Sequence, residues 1–321
     1  MKKALSLLLT AALLLVSLLS LASCGKKNDE TVLQVGYLSG STGLGLSKMI
    51  ADNKDNPKLT FTKYNSPSEI MAAFSNGSVD LAALPTNAFP NFASQMNGKR
   101  PISMLAINTL GVLYLLSDDG KTIPANDLSS LSGKTVYVPE SAPKLILQHV
   151  LQAQGIENVT LNMEYDLDTL PAAAQTDSNV HYILFPEPKV TVLLNTAGSK
   201  TYSIALDLTE AWAATGDDPL VQGCMIVSRQ FAADHEQLIS SFLTEYEASI
   251  NWMKNAENID AAAQYAVDAG IFPKAPIAKQ AIPRCNLTFL SGNTMKSTAN
   301  AFFTALGLTT QPTEAYYGAN E

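Results

Sequence analysis

Cysteine and histidine are scarce in this chain. Of its 321 residues only three are cysteine and three are histidine. Three cysteines cannot staple a fold with disulfides, and His149, His181 and His235 are too scattered to build a metal site without heavy use of carboxylates. Structural zinc is thereby excluded, and no cofactor is expected. Basic residues are also in deficit, with 21 Lys and Arg against 29 Asp and Glu and a formal net charge of −8. No surplus of positive charge remains to neutralise a phosphate backbone, which argues against nucleic acid as a partner. Charged residues make up only 16% of the chain and hydrophobic ones 46%. With a mean hydropathy near zero, such a chain can bury a sizeable core as one large domain or two lobes.

One long apolar run is present, at the amino terminus. Lys2 and Lys3 precede residues 4–21, which are apolar apart from small hydroxyls, the layout of an export signal. The run is long enough to span a bilayer, so a permanent anchor and a removable signal compete. Leu21-Ala22-Ser23-Cys24-Gly25 decides for the signal, because it matches a bacterial lipobox. Cys24 is then the lipidation site, its thiol linked to a diacylglycerol and the small neighbours giving the peptidase access to the backbone. Residues 1–23 are expected to be cleaved, and 24–31 to serve as a polar tether. Cleavage lowers the basic count from 21 to 19 against 29 acidic residues, a formal charge of −10. Acyl chains burying about 0.8 kcal/mol per methylene hold such a protein on the membrane surface. The expected location is the cell envelope, outside the cytoplasm and lipid-anchored.

From Val32 onward, short β-branched runs alternate with amphipathic helical runs, the pattern of an α/β fold. Strands are expected at 32–37, 59–64, 79–84 and 102–107, with helices at 44–52, 68–76 and 87–96 between them. Residues 112–116, followed by Ser117-Asp118-Asp119-Gly120, read as a strand that leaves this group and turns into a second one. There, strands at 134–138, 159–165, 180–185 and 202–206 alternate with helices at 142–154, 169–175 and 189–195. A return strand at 221–228 leads into a helical tail. Leu238, Ile239, Phe242, Leu243, Tyr246 and Ile250 recur at three- and four-residue spacing, which predicts one long helix over 231–255. Helices over 259–269, 276–282 and 294–306 follow. The expected division places 32–110 and 216–321 in one lobe and 111–215 in the other, with the tail packed on the first.

Candidate binding residues gather at strand-to-helix turns. Tyr37-Leu38-Ser39-Gly40-Ser41-Thr42-Gly43-Leu44-Gly45 offers three hydroxyls, backbone that can approach a ligand closely, and the positive end of a helix. It fails the phosphate-loop pattern, because Leu46 stands where lysine is required, and the dinucleotide pattern, because Lys48 replaces the third glycine. Leu84-Pro85-Thr86-Asn87-Ala88 places Thr86 and Asn87 at a helix N-cap, and Pro139-Glu140-Ser141-Ala142-Pro143 does the same for Ser141. Ligands of open α/β sheets bind outside the carboxyl ends of strands, so these turns can share one cleft. In Phe185-Pro186-Glu187-Pro188 the prolines fix where Glu187 points. It either accepts from a ligand N–H, bonds across the cleft, or is a surface carboxylate near a helix start. Trp212 either stacks on a planar ligand or is a buried structural residue.

Signatures of catalysis are weak. His235-Glu236 begins like a zinc-protease helix, but Ile239 takes the place of the second histidine, and no Gly-x-Ser-x-Gly elbow with partners is present. Cys224 lies in a predicted strand as a small core residue, and Cys285 adjoins Arg284 in a connector.

Taken together, the lipobox, the Gly/Ser/Thr turn after the first strand, the Glu187-Pro188 turn of the second lobe, and the return strand followed by helices resemble the solute-binding lipoproteins of ABC importers. The likeness is to their nitrate/sulfonate/taurine and thiamine-precursor branch. The resemblance implies a type II periplasmic-binding-protein fold, two βα lobes joined by two crossover segments around a central ligand cleft. It places ligand contacts on Ser39, Ser41, Thr42, Thr86, Asn87, Ser141 and Glu187. It implies a non-enzymatic, monomeric receptor whose partners are a small-molecule solute, a permease with its ATPase and, through the lipid anchor, a membrane. No arginine falls in these turns, Arg100, Arg229 and Arg284 lying elsewhere in this reading, so a neutral heterocycle stands beside an oxyanion as the solute. A solute-sensing or surface lipoprotein without transport is the alternative. The thiamine-pyrimidine-precursor enzymes of the same branch need a cysteine cluster that is missing here.

Overall fold

A computed structural model describes residues 31–139, 141–217 and 219–320, with Ser141 described by its backbone alone. Cys24 and the segments flanking it, the predicted signal and tether, lie outside the described residues.

Among the described residues eleven strands are formed: β1 Leu33–Leu38, β2 Leu59–Tyr64, β3 Leu81–Pro85, β4 Ile102–Leu110, β5 Leu113–Ser117, β6 Thr135–Tyr137, β7 Thr160–Asn162, β8 Tyr182–Pro186, β9 Ser203–Asp207, β10 Val221–Ser228 and β11 Leu287–Leu290. They make a six-stranded sheet in the order β11-β4-β10-β3-β1-β2 and a five-stranded one in the order β7-β6-β8-β5-β9. Both sheets follow one plan. Three parallel strands lie second-first-third. Next comes an antiparallel strand that enters from the part of the chain forming the other sheet, then a fourth strand beyond it.

This plan fixes where the candidate binding turns go. Only Gly111 and Val112 separate the end of β4 from the start of β5, and β5 begins opposite Pro186, the last residue of β8. β10 begins opposite Leu110. The carboxyl ends of the parallel strands in both sheets therefore meet along the two crossovers. The crossovers touch: a Cβ on Gly111 would collide with Thr209 Oγ1 and lie 3.0 Å from Leu220 Cδ2.

Local sequence accounts for the flanking helices. Ser66 caps Pro67–Ser75, its Oγ accepting from Glu69 N–H at 3.2 Å, while Glu69 accepts from Asn65 N–H at 3.0 Å, a variant of the capping box. Gly77, at φ 84°, ends that helix by bonding back to Phe74, with Ser78 bonding to Ala73, the left-handed stop that glycine favours. Three apolar clusters fill the interior. One runs through both sheets, from Phe74 and Phe89 through Leu115 and Trp212 to Phe302. The second lies between the six-stranded sheet and the tail, and the third covers the other face of the five-stranded sheet. The tail packs on the first sheet, where Ile239, Phe242, Tyr246 and Ile250 are all buried.

Three expectations are corrected, and one strand is added. The helix expected over 44–52 is two short pieces, Ser41–Leu44 and Ser47–Asp52. The long helix over 231–255 is Arg229–Asp234 and Glu236–Met253, broken at His235 with φ −132° and ψ 42°. Apolar spacing reports which face is buried, and says nothing of whether the axis is continuous. The strand β11 was not anticipated, because Leu287–Leu290 is too short to show alternation. Thr86 and Asn87 do not cap a helix, but sit inside a 3-10 turn, Thr86–Ala88, without a side-chain cap bond.

Candidate functional site

The first turn leaves β1 at Leu38 and enters the helical turn Ser41–Leu44. Its backbone is tied from below: Thr109 Oγ1 donates to Ser41 O at 3.2 Å, and Asn108 Nδ2 donates to Thr42 O at 3.2 Å. Thr109 also donates to Asn108 Oδ1 at 2.9 Å; with a single hydroxyl proton it makes one of these two bonds at a time. Gly223 on β10 leaves the space that this arrangement needs. A Cβ there would collide with Asn108 Oδ1 and lie 2.5 Å from Thr42 Cγ2. The carbonyls are thus occupied, while the hydroxyls of Ser39, Ser41 and Thr42 make no hydrogen bond among the described residues. Ser39 is exposed, and Ser41 and Thr42 are largely buried.

The Thr86 turn is its neighbour in the same sheet, since Gly223, beneath Thr42, pairs with Pro85. Thr86 Oγ1 is buried, with the Cys224 thiol as its neighbour and no other hydrogen-bond partner among the described residues. Burial pushes that thiol up to about 12.

The second sheet brings Glu187 to the same junction. The Glu187–Pro188 peptide is cis, and a Cβ built on Gly40 would touch Pro188 Cδ at 3.9 Å. The first turn and the Glu187 turn therefore stand against each other. Ser141 begins the helix Ser141–Ala153 that follows β6, at the same end of its sheet.

Glu187 is fully buried and fully engaged. Its Oε1 lies 2.5 Å from Arg284 Nε, and it accepts from Thr191 Oγ1 at 2.9 Å and Thr191 N–H at 3.2 Å. Burial raises its pKa, against the pull of Arg284 and Thr191. Arg284 also donates to Thr191 Oγ1, and its carbonyl accepts from Tyr114 Oη at 3.2 Å. The expectation that Arg284 lies away from these turns is thus overturned. Its approach joins two places 97 residues apart in the chain, which no local pattern announces. Thr191, Asn108, Thr109 and Gly223 were missed as well. Thr191 alone had a signal, standing one helical turn after Glu187.

Two surface cavities lie elsewhere. One of about 350 Å³ is lined by Lys48, Asp52, Glu245 and Trp252 among others. Another of about 420 Å³ is lined by Asp118, Lys134, His181 and Tyr182 among others. Neither includes a residue of the facing turns. Among the described residues no group of three or more His, Cys, Asp or Glu could hold a metal ion. Trp212 is buried, 4.7 Å from the ring of His149 and 6.0 Å from that of Phe302, which places it in the core. Cys224 and Cys285 are buried and unpaired.

Comparison with known proteins sets this geometry in context. The family model described as menaquinone biosynthesis matches residues 57–281. The chain belongs to the menaquinone biosynthesis family. No curated protein matches it in sequence. Among solved structures, this family member is similar to an ABC transporter protein from Parabacteroides distasonis, at 18% identity and a TM-score of 0.69 over 89% of this chain and 99% of that one. It is similar to the periplasmic aliphatic sulphonate-binding protein of Escherichia coli, at 15% identity and a TM-score of 0.67 over 90% and 92% of the two chains. It is also similar to the periplasmic nitrate-binding protein of Synechocystis PCC 6803, at 15% identity and a TM-score of 0.61 over 86% and 81%. The menaquinone-family chain thus has the α/β fold of type II periplasmic binding proteins, with two sheets joined by two crossovers. The resemblance noted in the sequence holds at the level of fold.

Proposed function

We propose that this chain is a lipid-anchored receptor that captures a small solute between the Ser39–Thr42 turn and the Glu187 turn and delivers it to a membrane permease with its ATPase. The observation that carries the proposal is the apposition of Gly40 and Pro188, which sets the carboxyl-end turns of two sheets against each other. Three hydroxyls there lack protein partners among the described residues. The similar solved structures, named as sulphonate-binding and nitrate-binding proteins, support the same class of work. The two lobes are residues 32–110 with 216–321 and residues 111–215. They part to admit solute, and closure is driven by contacts made to both. A shift from 1% to 99% closed takes about 5.5 kcal/mol of differential affinity.

The groups left over at the junction define the ligand. Glu187 already accepts from three donors, whereas Arg284 Nη1 and the hydroxyls of Ser39, Ser41 and Thr42 have no partner among the described residues. The hydroxyls can donate or accept and Arg284 Nη1 can only donate, so a solute that presents acceptors such as carboxylate, sulfonate or ring carbonyl oxygens fits best. Anchoring at Cys24 places the receptor at the cell envelope, as a monomer. No helix among the described residues is long and apolar enough to cross a membrane.

A second function, a step in menaquinone biosynthesis, is favoured by the family match alone. Native mass spectrometry of protein purified without denaturation separates the two. A retained acceptor-bearing solute that stays unchanged on incubation supports the receptor. Chemical conversion of the solute supports an enzyme. If neither a retained solute nor any member of a panel of carboxylates, sulfonates, heterocycles and amino acids raises the melting temperature, the receptor proposal fails. A ligand at 100 times its Kd should add about 2.7 kcal/mol. Cys24→Ala should move the protein from the membrane fraction to the soluble one.

A further inference from the structure

Arg284 has a role that neither the fold nor the family assigns. It belongs to the tail, between the helix Ala275–Ala281 and β11, and β11 pairs with β4 of the six-stranded sheet. Its side chain and carbonyl nevertheless bind three residues of the five-stranded sheet's half: Glu187, Thr191 and Tyr114. A fourth link lies alongside, where Asn195 Nδ2 donates to Gln280 Oε1 at 3.0 Å. The chain is continuous across the two crossovers, and this cluster is a separate, noncovalent tie at the same junction.

The two ends of the tie differ in exposure. The Glu187 side chain is 0% exposed and that of Arg284 is 29% exposed. Arg284 can return to water by rotating its side chain. Glu187 cannot, because its carboxylate is enclosed; it regains water only if its own turn, whose Pro188 lies against Gly40, shifts from its place. An unpaired buried carboxylate is strongly disfavoured. Removing the guanidinium therefore acts on the position of the turn that carries Glu187.

We propose that Arg284 is the positioning residue of the site: by neutralising and holding Glu187, it seats the Glu187–Thr191 turn against the Ser39–Thr42 turn. The proposal deepens the receptor function and rests on these two turns forming one site. Thr191 completes the arrangement, giving its hydroxyl proton to Glu187 while accepting from Arg284. A lysine at position 284 could meet Glu187 as a point charge, but it lacks the planar fork that reaches Glu187 and Thr191 together.

Hydrogen exchange of the full chain tests this without any ligand. In Arg284→Ala the Thr191 amide, bonded to Glu187 in the wild type, should exchange at least about tenfold faster. Peptides over 39–45 should speed up with it, while the helix Glu236–Met253 keeps its protection. Small-angle scattering should show a larger radius of gyration. Arg284→Lys should lie between the two. Arg284→Ala with Glu187→Gln should restore much of the protection, because no buried charge is left to expose. Unchanged exchange at Thr191 in Arg284→Ala overturns the proposal. So does a uniform rise across all helices, which marks general destabilisation, and so does a double variant no better protected than the single one. These outcomes are independent of the ligand panel, so a chain that binds no solute yet shows the coupled exchange refutes the receptor and keeps the tie.

Discussion

The two facing turns solve the same problem in opposite ways. At the Ser39–Thr42 turn, neutral side chains below, Asn108 and Thr109, hold the backbone carbonyls, and the turn's own hydroxyls stay uncommitted. At the Glu187 turn the candidate side chain itself is the anchor, consumed by Arg284 and Thr191. A turn held by its backbone keeps its side chains available to a ligand. A turn held through a buried charge gives up that side chain to gain a fixed position. In the proposed receptor the asymmetry would divide labour across the junction, with recognition on the six-stranded sheet and placement on the five-stranded one.

The largest expected effect attacks the first turn from beneath. Gly223→Val puts two branches where even a Cβ collides with Asn108 Oδ1 and presses on Thr42 Cγ2. Overpacking of this kind should destabilise the fold by about 3 kcal/mol, read by denaturant unfolding. It should also abolish solute binding in whatever fraction remains folded. Wild-type stability would show that the turn is not seated on β10.

The next effect tests the second turn through pH. Burial raises the pKa of Glu187 above its ordinary 4.5, so the native state holds this proton more tightly than the unfolded chain does. The stability it contributes is complete below that ordinary value and is lost as pH rises through the raised one. The loss is about 1.4 kcal/mol for every tenfold by which the native state binds the proton more tightly. Glu187→Gln removes this dependence. As pH rises from 4.5 towards neutrality the wild type should lose stability relative to the variant, and a difference that is flat or of opposite slope would refute the assignment. The same burial means that Glu187→Ala disturbs the fold as well as the site. A lone surface carboxylate would not.

What the sequence disclosed follows from the range of each signal. The strands of both sheets except β11, the exchange of β5 and β10 and the first turn were legible, because alternation, β-branching and glycine-hydroxyl clusters are local properties. Ser39, Ser41, Thr42 and Glu187 could be named as candidates for that reason. The Arg284 tie was not, since it depends on how the tail packs, nearly a hundred residues from its partner. Asn108 and Thr109 read as the end of an ordinary buried strand, and their inward bonds become visible only when the turn is laid upon them. Thr86 was legible as a polar residue at a strand end but not in its role, because a 3-10 turn and an N-cap have the same composition. The Cys24 lipobox remains an expectation from sequence.

A smaller effect sharpens the recognition side. Ser41→Ala and Thr42→Val each remove one hydroxyl without a protein partner, and Thr42→Val keeps the methyl that packs over Gly223. Each should weaken solute binding roughly fivefold, about 1 kcal/mol, in titrations with the solute recovered by native mass spectrometry. Melting of the free protein should move little. Unaltered affinity in both would shift recognition away from this turn.

The smallest effect concerns the outer link of the tie. Asn195 donates to Gln280 at 3.0 Å, but this pair is exposed, so water replaces either partner readily. Asn195 also donates to Thr191 O at 2.8 Å within its own helix end, a bond that Asn195→Ala removes too. Even with both lost, the change in unfolding free energy should stay within about 0.5 kcal/mol, and exchange at Thr191 should remain close to wild type. The contrast with Arg284→Ala is the informative quantity, because both residues bridge the same two elements and differ chiefly in whether a buried charge depends on them. Equal effects would mean that contact between the tail and the helix Lys189–Leu194 holds the turn. A large gap would assign that work to neutralisation of Glu187.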